Sequence, residues 1–365
     1  MTRAVLFVGG GTGGHLYPAL AIIDELRALD PGARAAIACS TRPIDADILR
    51  PTAVDFTPIP ASPPIPRPAP LIRFLRAWRP SVRALRAMIR ALGAEADDVT
   101  VVAMGGFVSA PSAAAARREG APLVLVNLDA VPGRANRFLA RRAERVFTAA
   151  PVPDRADWIP IPPIVRRAML DPIEPRDARR ALGLDPETRT LLVTGGSQGA
   201  RTINELLAAL TRADPDALKG WQVLHQSGAD GAGLERAYQR AGVPAIVTAY
   251  IDDMRAALGA ADLAVGRCGA GAVAECWATR TPALFLPYPY HKDDHQRANA
   301  RVLERAGAAI VRTDHADADA NLAGAGAALG ALLRDPERIA SMRRANESLA
   351  HADGAARLAR ALASP

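Results

Sequence analysis

Short apolar segments alternate with amphipathic segments along most of the chain. The apolar runs have the length of buried strands, and between them apolar residues recur at the three- to four-residue spacing of helices. This alternation is typical of α/β proteins with βαβ units and parallel sheets. Strands are expected in two series, at residues 4–8, 35–39, 99–104, 123–126 and 145–149, and then at residues 190–194, 222–225, 245–248, 263–265 and 283–286. After residue 286 only helices are expected.

A proline-rich segment separates the two series. Prolines are concentrated at residues 151–153 and 160–163. Because proline removes a backbone donor and fixes φ, neither sheet is expected to pass through this segment. A linker is therefore predicted at residues 150–166. The first domain is expected to span residues 1–160, with a C-terminal helix at about residues 346–365 rejoining it, and the second domain to span residues 161–345.

Three glycine-rich loops follow predicted strands, at residues 9–14, 105–109 and 194–200. Glycine lets a phosphate approach the backbone, and the N-terminus of the next helix favours an anion. Ser197, in the third loop, can add a hydroxyl donor. Each loop alone is equally typical of an ordinary strand-to-helix turn, but three of them together favour an anionic ligand.

The first loop matches GxGxxG, the fingerprint of dinucleotide-binding proteins. A nicotinamide enzyme also requires an acidic residue at the end of the second strand. That strand ends in Cys39-Ser40-Thr41-Arg42, which counts against NAD. Arg42 keeps an NADP-dependent oxidoreductase as an alternative function.

Polar side chains in the second domain suit a nucleotide and a sugar. Glu275 lies one turn into a helix of small residues, where a carboxylate can accept both hydroxyls of a ribose, although such a carboxylate often only stabilises the helix. Gln296 and Asn299 share a helix face, and their amides can both donate to and accept from sugar hydroxyls. His291 and His295 have metal-ligand spacing but no surrounding metal motif, so no metal site is predicted.

The net charge of +7 is concentrated in one segment. Seven arginines and no acidic residue lie between residues 67 and 90, so the remainder of the chain is neutral. Residues 71–90 form an amphipathic helix whose second half is expected to pack on the sheet. The first half suits an anionic lipid surface, while nucleic acid is disfavoured because no stacking aromatic series accompanies the arginines. The residues predicted to meet the membrane are Leu71, Ile72, Phe74, Leu75 and Trp78, with Arg73, Arg76 and Arg79.

Composition excludes a disordered chain, a small disulfide-rich protein and a collagen-like fibre. Hydrophobic residues make up 49% of the 365 residues and charged residues 23%, as in soluble globular proteins. No apolar run of about 20 residues or signal peptide is recognisable, so no spanning helix is expected. Three cysteines without metal-ligand spacing favour a reducing cytosol.

Six segments together resemble glycosyltransferase family 28, in particular its peptidoglycan N-acetylglucosaminyltransferases. They are GGGTGGHLYPALAI at residues 9–22, MGGFVSAP at 104–111, TGGSQGARTINE at 194–205, YIDDM at 250–254, GAVAE at 271–275 and DDHQRANA at 293–300. The resemblance covers nearly the whole chain, in order. It implies a GT-B fold, in which two doubly wound Rossmann-like domains face each other across a cleft.

The resemblance also implies a reaction. An inverting, UDP-N-acetylglucosamine-dependent hexosyltransferase would move N-acetylglucosamine to the C4 hydroxyl of the N-acetylmuramyl group of lipid I, forming lipid II for peptidoglycan. No cofactor or metal is expected. The implied partners are the UDP-sugar, the lipid-linked muramyl-peptide acceptor and the anionic cytoplasmic face of the cell membrane, to which the protein would bind peripherally.

Site roles follow from the same resemblance. The backbone of Ile251 would meet the uracil and Glu275 the ribose, while Ser197 and Arg166 would hold the diphosphate. Ala270, Gln296 and Asn299 would line the sugar. The remaining substrate-binding residues implied are Thr12, Gly13, Gly14 and His15 in the first domain and Gly271, Ala272, Val273 and Ala274 in the second.

The acceptor side departs from the family pattern. Where the family has His-Glu-Gln-Asn, this chain has Val126-Asn127-Leu128-Asp129. Asp129 replaces a substrate-contacting asparagine, so Asp129 and His15 are both candidates for the general base. The departure leaves two further alternatives open: transfer to another lipid, such as a diacylglycerol, and binding of a nucleotide sugar without transfer.

Overall fold

The computed structural model describes residues 3–11, 13–196, 199–229, 231–291 and 293–364. The chain divides into two compact units. The first comprises Met1–Arg167 and Asp353–Pro365, and the second comprises Ala168–Ala352. Among the described residues, none of the helices is both long and apolar enough to cross a bilayer.

The first unit alternates strands and helices as the apolar pattern predicts. Its elements are β1 (Arg3–Val8), α1 (Gly13–Leu29), β2 (Arg34–Ser40), α2 (Pro43–Leu49), β3 (Asp55–Ile59), α3 (Pro68–Gly93), β4 (Asp98–Ala103), α4 (Gly106–Ser109), α5 (Ser112–Glu119), β5 (Leu123–Asn127), α6 (Arg134–Ala140), β6 (Arg145–Thr148) and β7 (Ile159–Pro160).

The second unit repeats this design. After a 3₁₀ turn at Arg167–Leu170, its elements are α7 (Pro175–Ala181), β8 (Arg189–Thr194), α8 (Arg201–Ala213), β9 (Trp221–Gln226), α9 (Ala232–Arg240), β10 (Ala245–Thr248), α10 (Met254–Ala260), β11 (Leu263–Gly266), α11 (Ala270–Ala278), β12 (Ala283–Phe285), α12 (His295–Ala306), β13 (Ala309–Val311), α13 (Ala318–Asn321), a π-helical turn at Leu322–Gly326, α14 (Ala327–Arg334) and α15 (Pro336–Glu347). The chain then returns to the first unit as α16 (Gly354–Ala363).

Both sheets are parallel and doubly wound. Their strand orders are β3-β2-β1-β4-β5-β6-β7 and β10-β9-β8-β11-β12-β13. The order reverses between β1 and β4 in the first sheet and between β8 and β11 in the second. Ligands of such sheets bind beyond the carboxyl ends of the strands at this reversal. The three glycine loops and the segment before Glu275 all lie at these two positions.

Apolar side chains from both faces of each sheet form the cores. In the first unit Leu6, Val101 and Leu125 on adjacent strands are fully buried together with Leu85 of α3. In the second unit the strands are covered on one side by α8 and α14 and on the other by α10 and α12. The rigid sheets therefore fix the loops at their carboxyl edges.

Three strands lie outside the sequence expectations. β7 pairs with β6 through Phe147 and Ile159, so the first sheet does enter the proline-rich segment. Pro160 is compatible with this pairing because β7 is an edge strand. β3 is also an edge strand, and β13 shows that the chain after residue 286 is not purely helical. All three strands are short or rich in polar residues, so the apolar pattern did not reveal them.

The domain boundaries also differ from the predicted ones. The first unit extends to Arg167 rather than to residue 160, and the return begins at Asp353 rather than at about residue 346. The reason is that β7 and the antiparallel bridge between Ile164 and Asp353 attach the proline-rich segment to the first unit. α15 remains in the second unit.

Helix α3 is one continuous helix with Pro80 inside it. Its second half packs on the sheet through Val82, Leu85 and Ile89, as expected. In its first half Leu71, Ile72 and Leu75 are 43%, 49% and 61% exposed.

Candidate functional site

His15 stands in the first turn of α1, against the second glycine loop. Gly105 and Gly106 have φ of +99° and +74°, which only glycine adopts without strain. A Cβ at position 106 would lie 3.1 Å from Cε1 of His15, and one at position 105 would lie 3.4 Å from Nε2. The second loop is therefore glycine-rich because its backbone packs on the imidazole.

Burial sets the protonation state of His15. Desolvation lowers the pKa of this imidazole, and the nearby carboxylates of Asp129 and Asp45 oppose that shift. Nδ1 is buried and has no hydrogen-bond partner among the described residues. A neutral imidazole beside a carboxylate can accept a proton and be stabilised once it is charged.

Asp129 is half-buried at the end of a network of amides. The Asn136 side chain donates to Oδ1 of Asn127 at 2.9 Å. Nδ2 of Asn127 donates to the backbone oxygen of Asp129 at 2.7 Å and to the hydroxyl of Thr148 at 3.0 Å. Asn127 and Asn136 are buried, and sequence reasoning assigned a role to neither of them. They hold the segment in which this chain departs from the family pattern.

The first glycine loop is held by a buried carboxylate. Asp45 of α2 accepts from the backbone N–H of Gly11 at 2.8 Å, from the backbone N–H of Ser40 at 2.9 Å and from its hydroxyl at 2.7 Å. Arg42 donates to the carbonyl of Gly11 at 2.7 Å. A dinucleotide phosphate would require this Gly11 N–H and would meet a carboxylate there, so the geometry counts against the NADP alternative.

In the second unit, Glu275 lies on α11, which begins directly after β11 at the sheet reversal. Burial raises the pKa of its carboxyl to about 7. The residue is half-buried, and among the described residues no side chain or backbone N–H donates to its carboxylate. Ala270, Gly271 and Ala272 precede it and are partly exposed, whereas Val273 and Ala274 are buried.

Ile251 lies in the loop after β10 and its N–H already has a partner. It donates to Oε1 of Gln226 at 3.1 Å. The expected backbone contact with a base is therefore limited to the carbonyl of Ile251. Nε2 of the same Gln226 donates to the carbonyl of Gly196, in the third glycine loop, at 2.6 Å.

Gln296 and Asn299 lie on the first turns of α12, as the spacing predicts. Oε1 of Gln296 accepts from the backbone N–H of Tyr288 at 2.9 Å, which leaves its NH₂ group as a donor. Asn299 is buried. The loop before α12 and the first residue of that helix bring three rings close together at tilted angles, with the centroids of Tyr288 and His291 4.7 Å apart and those of His291 and His295 4.5 Å apart.

A second buried network supports the loop after β11. Arg267 donates to Oδ2 of Asp314 at 2.6 Å, to the hydroxyl of Thr202 at 2.7 Å and to the carbonyl of Leu286 at 3.0 Å. Thr202 and Asp314 are buried. The start of α8, the start of α11 and the end of β12 are thereby joined, although none of these residues stood out in the sequence.

Arg166, which was expected to hold the diphosphate, lies at the end of the proline-rich segment. It belongs to the first unit and pairs with Asp24 of α1 at 3.0 Å. The pair is solvent-exposed, and such pairs contribute only about 0–1 kcal/mol, so Arg166 can exchange this partner for a phosphate at little cost. Gly13 and Gly14 begin α1. Thr12 and Ser197, which were expected to bind substrate, lie outside the described residues.

The described residues contain no group of three or more His, Cys, Asp or Glu side chains arranged to hold a metal ion. His295 instead pairs with Asp293 at 2.7 Å.

Comparison with known proteins agrees with this geometry. The N-terminal domain of glycosyltransferase family 28 matches residues 5–148, and its C-terminal domain matches residues 190–358. The chain is 38% identical over 97% of its length, and over 94% of the other protein, to the UDP-N-acetylglucosamine--N-acetylmuramyl-(pentapeptide) pyrophosphoryl-undecaprenol N-acetylglucosamine transferase of Clavibacter michiganensis subsp. michiganensis (strain NCPPB 382). It is 39% identical to the transferase of the same name from Acidithiobacillus ferrooxidans (strain ATCC 53993 / BNL-5-31), with 87% of this chain and 86% of the other covered.

Solved structures agree on the fold. The crystal structure of Acinetobacter baumannii MurG matches with a TM-score of 0.75 and 24% identity, covering 100% of this chain and 99% of the other. The expectation of two doubly wound, Rossmann-like α/β domains is confirmed. With both family domains matched in order and a relative 38% identical over almost its whole length, the chain belongs to glycosyltransferase family 28.

Proposed function

We propose that this protein is a UDP-N-acetylglucosamine-dependent hexosyltransferase that transfers N-acetylglucosamine to lipid I and so forms lipid II for peptidoglycan. The main support is that the chain is 38% identical, over nearly the full length of both chains, to a transferase named for that reaction. The lipid-linked acceptor and the UDP-sugar are its substrates. This function accounts for polar clusters at the sheet reversals of both units, which a single-site oxidoreductase does not.

The donor binds at the second unit. Glu275 accepts the two ribose hydroxyls, which satisfies a carboxylate that has no partner among the described residues. The carbonyl of Ile251 accepts from the uracil. Gln296 donates to a sugar hydroxyl through the NH₂ group that its contact with Tyr288 leaves available. Ala270 and Asn299 line the rest of the sugar.

The acceptor C4 hydroxyl attacks the anomeric carbon of the donor, and the bond from that carbon to the UDP oxygen breaks with inversion. His15 takes the proton of the hydroxyl, since its lowered pKa keeps it neutral and ready to accept. Asp129 stabilises the imidazolium that forms. UDP leaves with the electron pair, and its charge is stabilised by Arg166, Ser197 and the backbone N–H groups at the start of α8. No metal ion takes part in this scheme.

The first half of α3 binds the cytoplasmic face of the membrane peripherally. Leu71, Ile72 and Leu75 supply the exposed apolar surface. Arg73, Arg76 and Arg79 are exposed beside them and attract anionic lipid. Phe74 and Trp78, with ring centroids 5.6 Å apart, are half-buried and support this surface from beneath.

UDP release in the presence and absence of a lipid I analogue tests the function. The expected result is acceptor-dependent UDP release and a product heavier by one N-acetylhexosamine. Release that never exceeds the donor-only rate contradicts the proposal. A parallel reaction with diacylglycerol examines the other lipid acceptor, and titration with NADPH examines the oxidoreductase alternative.

A further inference from the structure

One buried side chain joins two loops at the carboxyl edge of the second sheet. Gln226 is the last residue of β9, which lies between β8 and β10. Its Nε2 donates to Gly196 in the loop after β8, and its Oε1 accepts from Ile251 in the loop after β10. The side chain is only 2% exposed, so water does not replace these bonds easily.

The two loops are those that a bound nucleoside diphosphate would contact at opposite ends. Strands of a sheet are about 4.8 Å apart, so the ends of β8 and β10 are separated by roughly 10 Å. A base at Ile251 and a diphosphate at the third glycine loop must span that distance. We propose that Gln226 is a positioning residue that fixes the spacing of these two loops, so that base and diphosphate bind together with full affinity. The inference rests on the proposed function.

Among the described residues, further contacts attach the third glycine loop to the end of β9. The carbonyl of Gly196 also accepts from the N–H of Gly199 at 2.9 Å, which closes the turn of the third loop. Gly199 has φ of +73°, and a Cβ there would lie 2.5 Å from the carbonyl oxygen of Ser227. The loop is thus packed on the end of β9, and the Gln226 amide extends this attachment to the loop after β10.

Comparing the affinities for uridine and for UDP separates the contribution of the nucleoside to binding from that of the diphosphate. The ratio of the uridine Kd to the UDP Kd, measured by calorimetry, gives the gain from the diphosphate. In Gln226→Leu that gain falls by about tenfold or more, since both loops lose their common partner. Gln226→Glu keeps an acceptor for the Ile251 N–H and loses the donor to Gly196. It therefore binds uridine as the wild type does but loses the gain from the diphosphate.

Gln222 provides a matched control on the same strand. It is equally buried, and its amide likewise donates to backbone carbonyls, those of Asp185 and Thr188 in the turn before β8, near the opposite end of β9. Gln222→Leu destabilises the unit but leaves the ratio unchanged. If both Gln226 variants still bind UDP and the ratio of the uridine Kd to the UDP Kd is unchanged, the inference is wrong. If wild-type protein binds neither uridine nor UDP, the proposed donor site itself is wrong.

Discussion

Burial shifts the pKa values of His15 and Glu275 in opposite directions. Burial disfavours the charged form of each group, so the pKa of the imidazole falls and that of the carboxyl rises to about 7. At neutral pH the imidazole is then mostly neutral, whereas the carboxyl is about half ionised. For a base that must accept a proton this is directly useful, whereas for a carboxylate that accepts hydroxyls it introduces a pH dependence.

Asp129→Asn is expected to shift the acid limb of the pH–kcat profile to lower pH. The Asp129 carboxylate raises the pKa of His15, so removing its charge lowers that pKa. A base with a lower pKa stays deprotonated, and hence active, in more acidic solution. The kcat plateau also falls because the imidazolium loses its counter-charge. His15→Gln should lose about 10²–10⁴-fold in kcat over the whole range.

Uridine binding to Asp129→Asn serves as the control, since that ligand is proposed to bind to the second unit. If the acid limb keeps its position in Asp129→Asn, then Asp129 does not act through His15. A profile that loses its acid limb altogether would instead identify Asp129 as the base.

Uridine affinity is expected to rise between pH 6 and pH 8. With a pKa of about 7, Glu275 is mostly protonated at pH 6 and mostly ionised at pH 8, and only the ionised carboxylate accepts both ribose hydroxyls. The ionised fraction grows about tenfold over this range, which sets the upper limit of the change. Uridine is the appropriate ligand because it has no phosphate that titrates. Glu275→Gln should bind more weakly and with no dependence on pH, and a parallel rise in this variant would refute the assignment.

At the scale of elements, the two halves of α3 lie in different surroundings. Arg86 and Arg90 in its second half pair with Glu119 of α5, which lowers the pKa of that carboxyl. The arginines of the first half remain exposed beside Leu71, Ile72 and Leu75. The basic charge that was evident in the sequence is therefore partly structural, and the remainder is available to a surface.

Leu75→Glu is expected to reduce binding to vesicles that contain anionic phospholipid by about tenfold or more. The substitution removes the most exposed leucine of α3 and adds a charge that repels the lipid. Sedimentation with vesicles measures the effect. Ala87→Glu is the matched control, because Ala87 is exposed in the second half of the same helix. Equal losses in the two variants would mean that only net charge matters and that the apolar surface does not insert.

Most of the fold and site that could be predicted from the sequence was predicted from apolar runs and glycine spacing. The central strands were predictable because they are buried on both faces, whereas β3, β7 and β13 lie at or near sheet edges and lack that pattern. His15 and Glu275 were recognisable because each lies within a short motif. Asp45, Asn136 and Gln226 were not, since their roles depend on hydrogen bonds to residues of other elements. The same limit applies to Arg166, whose pairing with Asp24 joins residues far apart along the chain.

At the scale of the whole molecule, the chain leaves its first unit, builds the second and then returns. α16 packs on α1 and buries Leu358 and Leu362 in the first unit. Arg3 and Arg145 of that unit donate to the carbonyls of Leu362 and Ala361. The first unit, which carries His15, is therefore completed only by the last residues of the chain.

Leu358→Ala is expected to destabilise the first unit by about 2–5 kcal/mol, the usual cost of truncating a fully buried leucine. Hydrogen–deuterium exchange should then accelerate in β1 and β5 but not in β8 or β11, because α16 belongs to the first unit alone. Leu332→Ala, in the core of the second unit, is the matched control and should give the reverse pattern. Transfer activity should fall in both variants, whereas uridine affinity should fall only in Leu332→Ala. Acceleration spread equally over both units in Leu358→Ala would show that they unfold as one cooperative body, so that the returning helix stabilises the donor site as well.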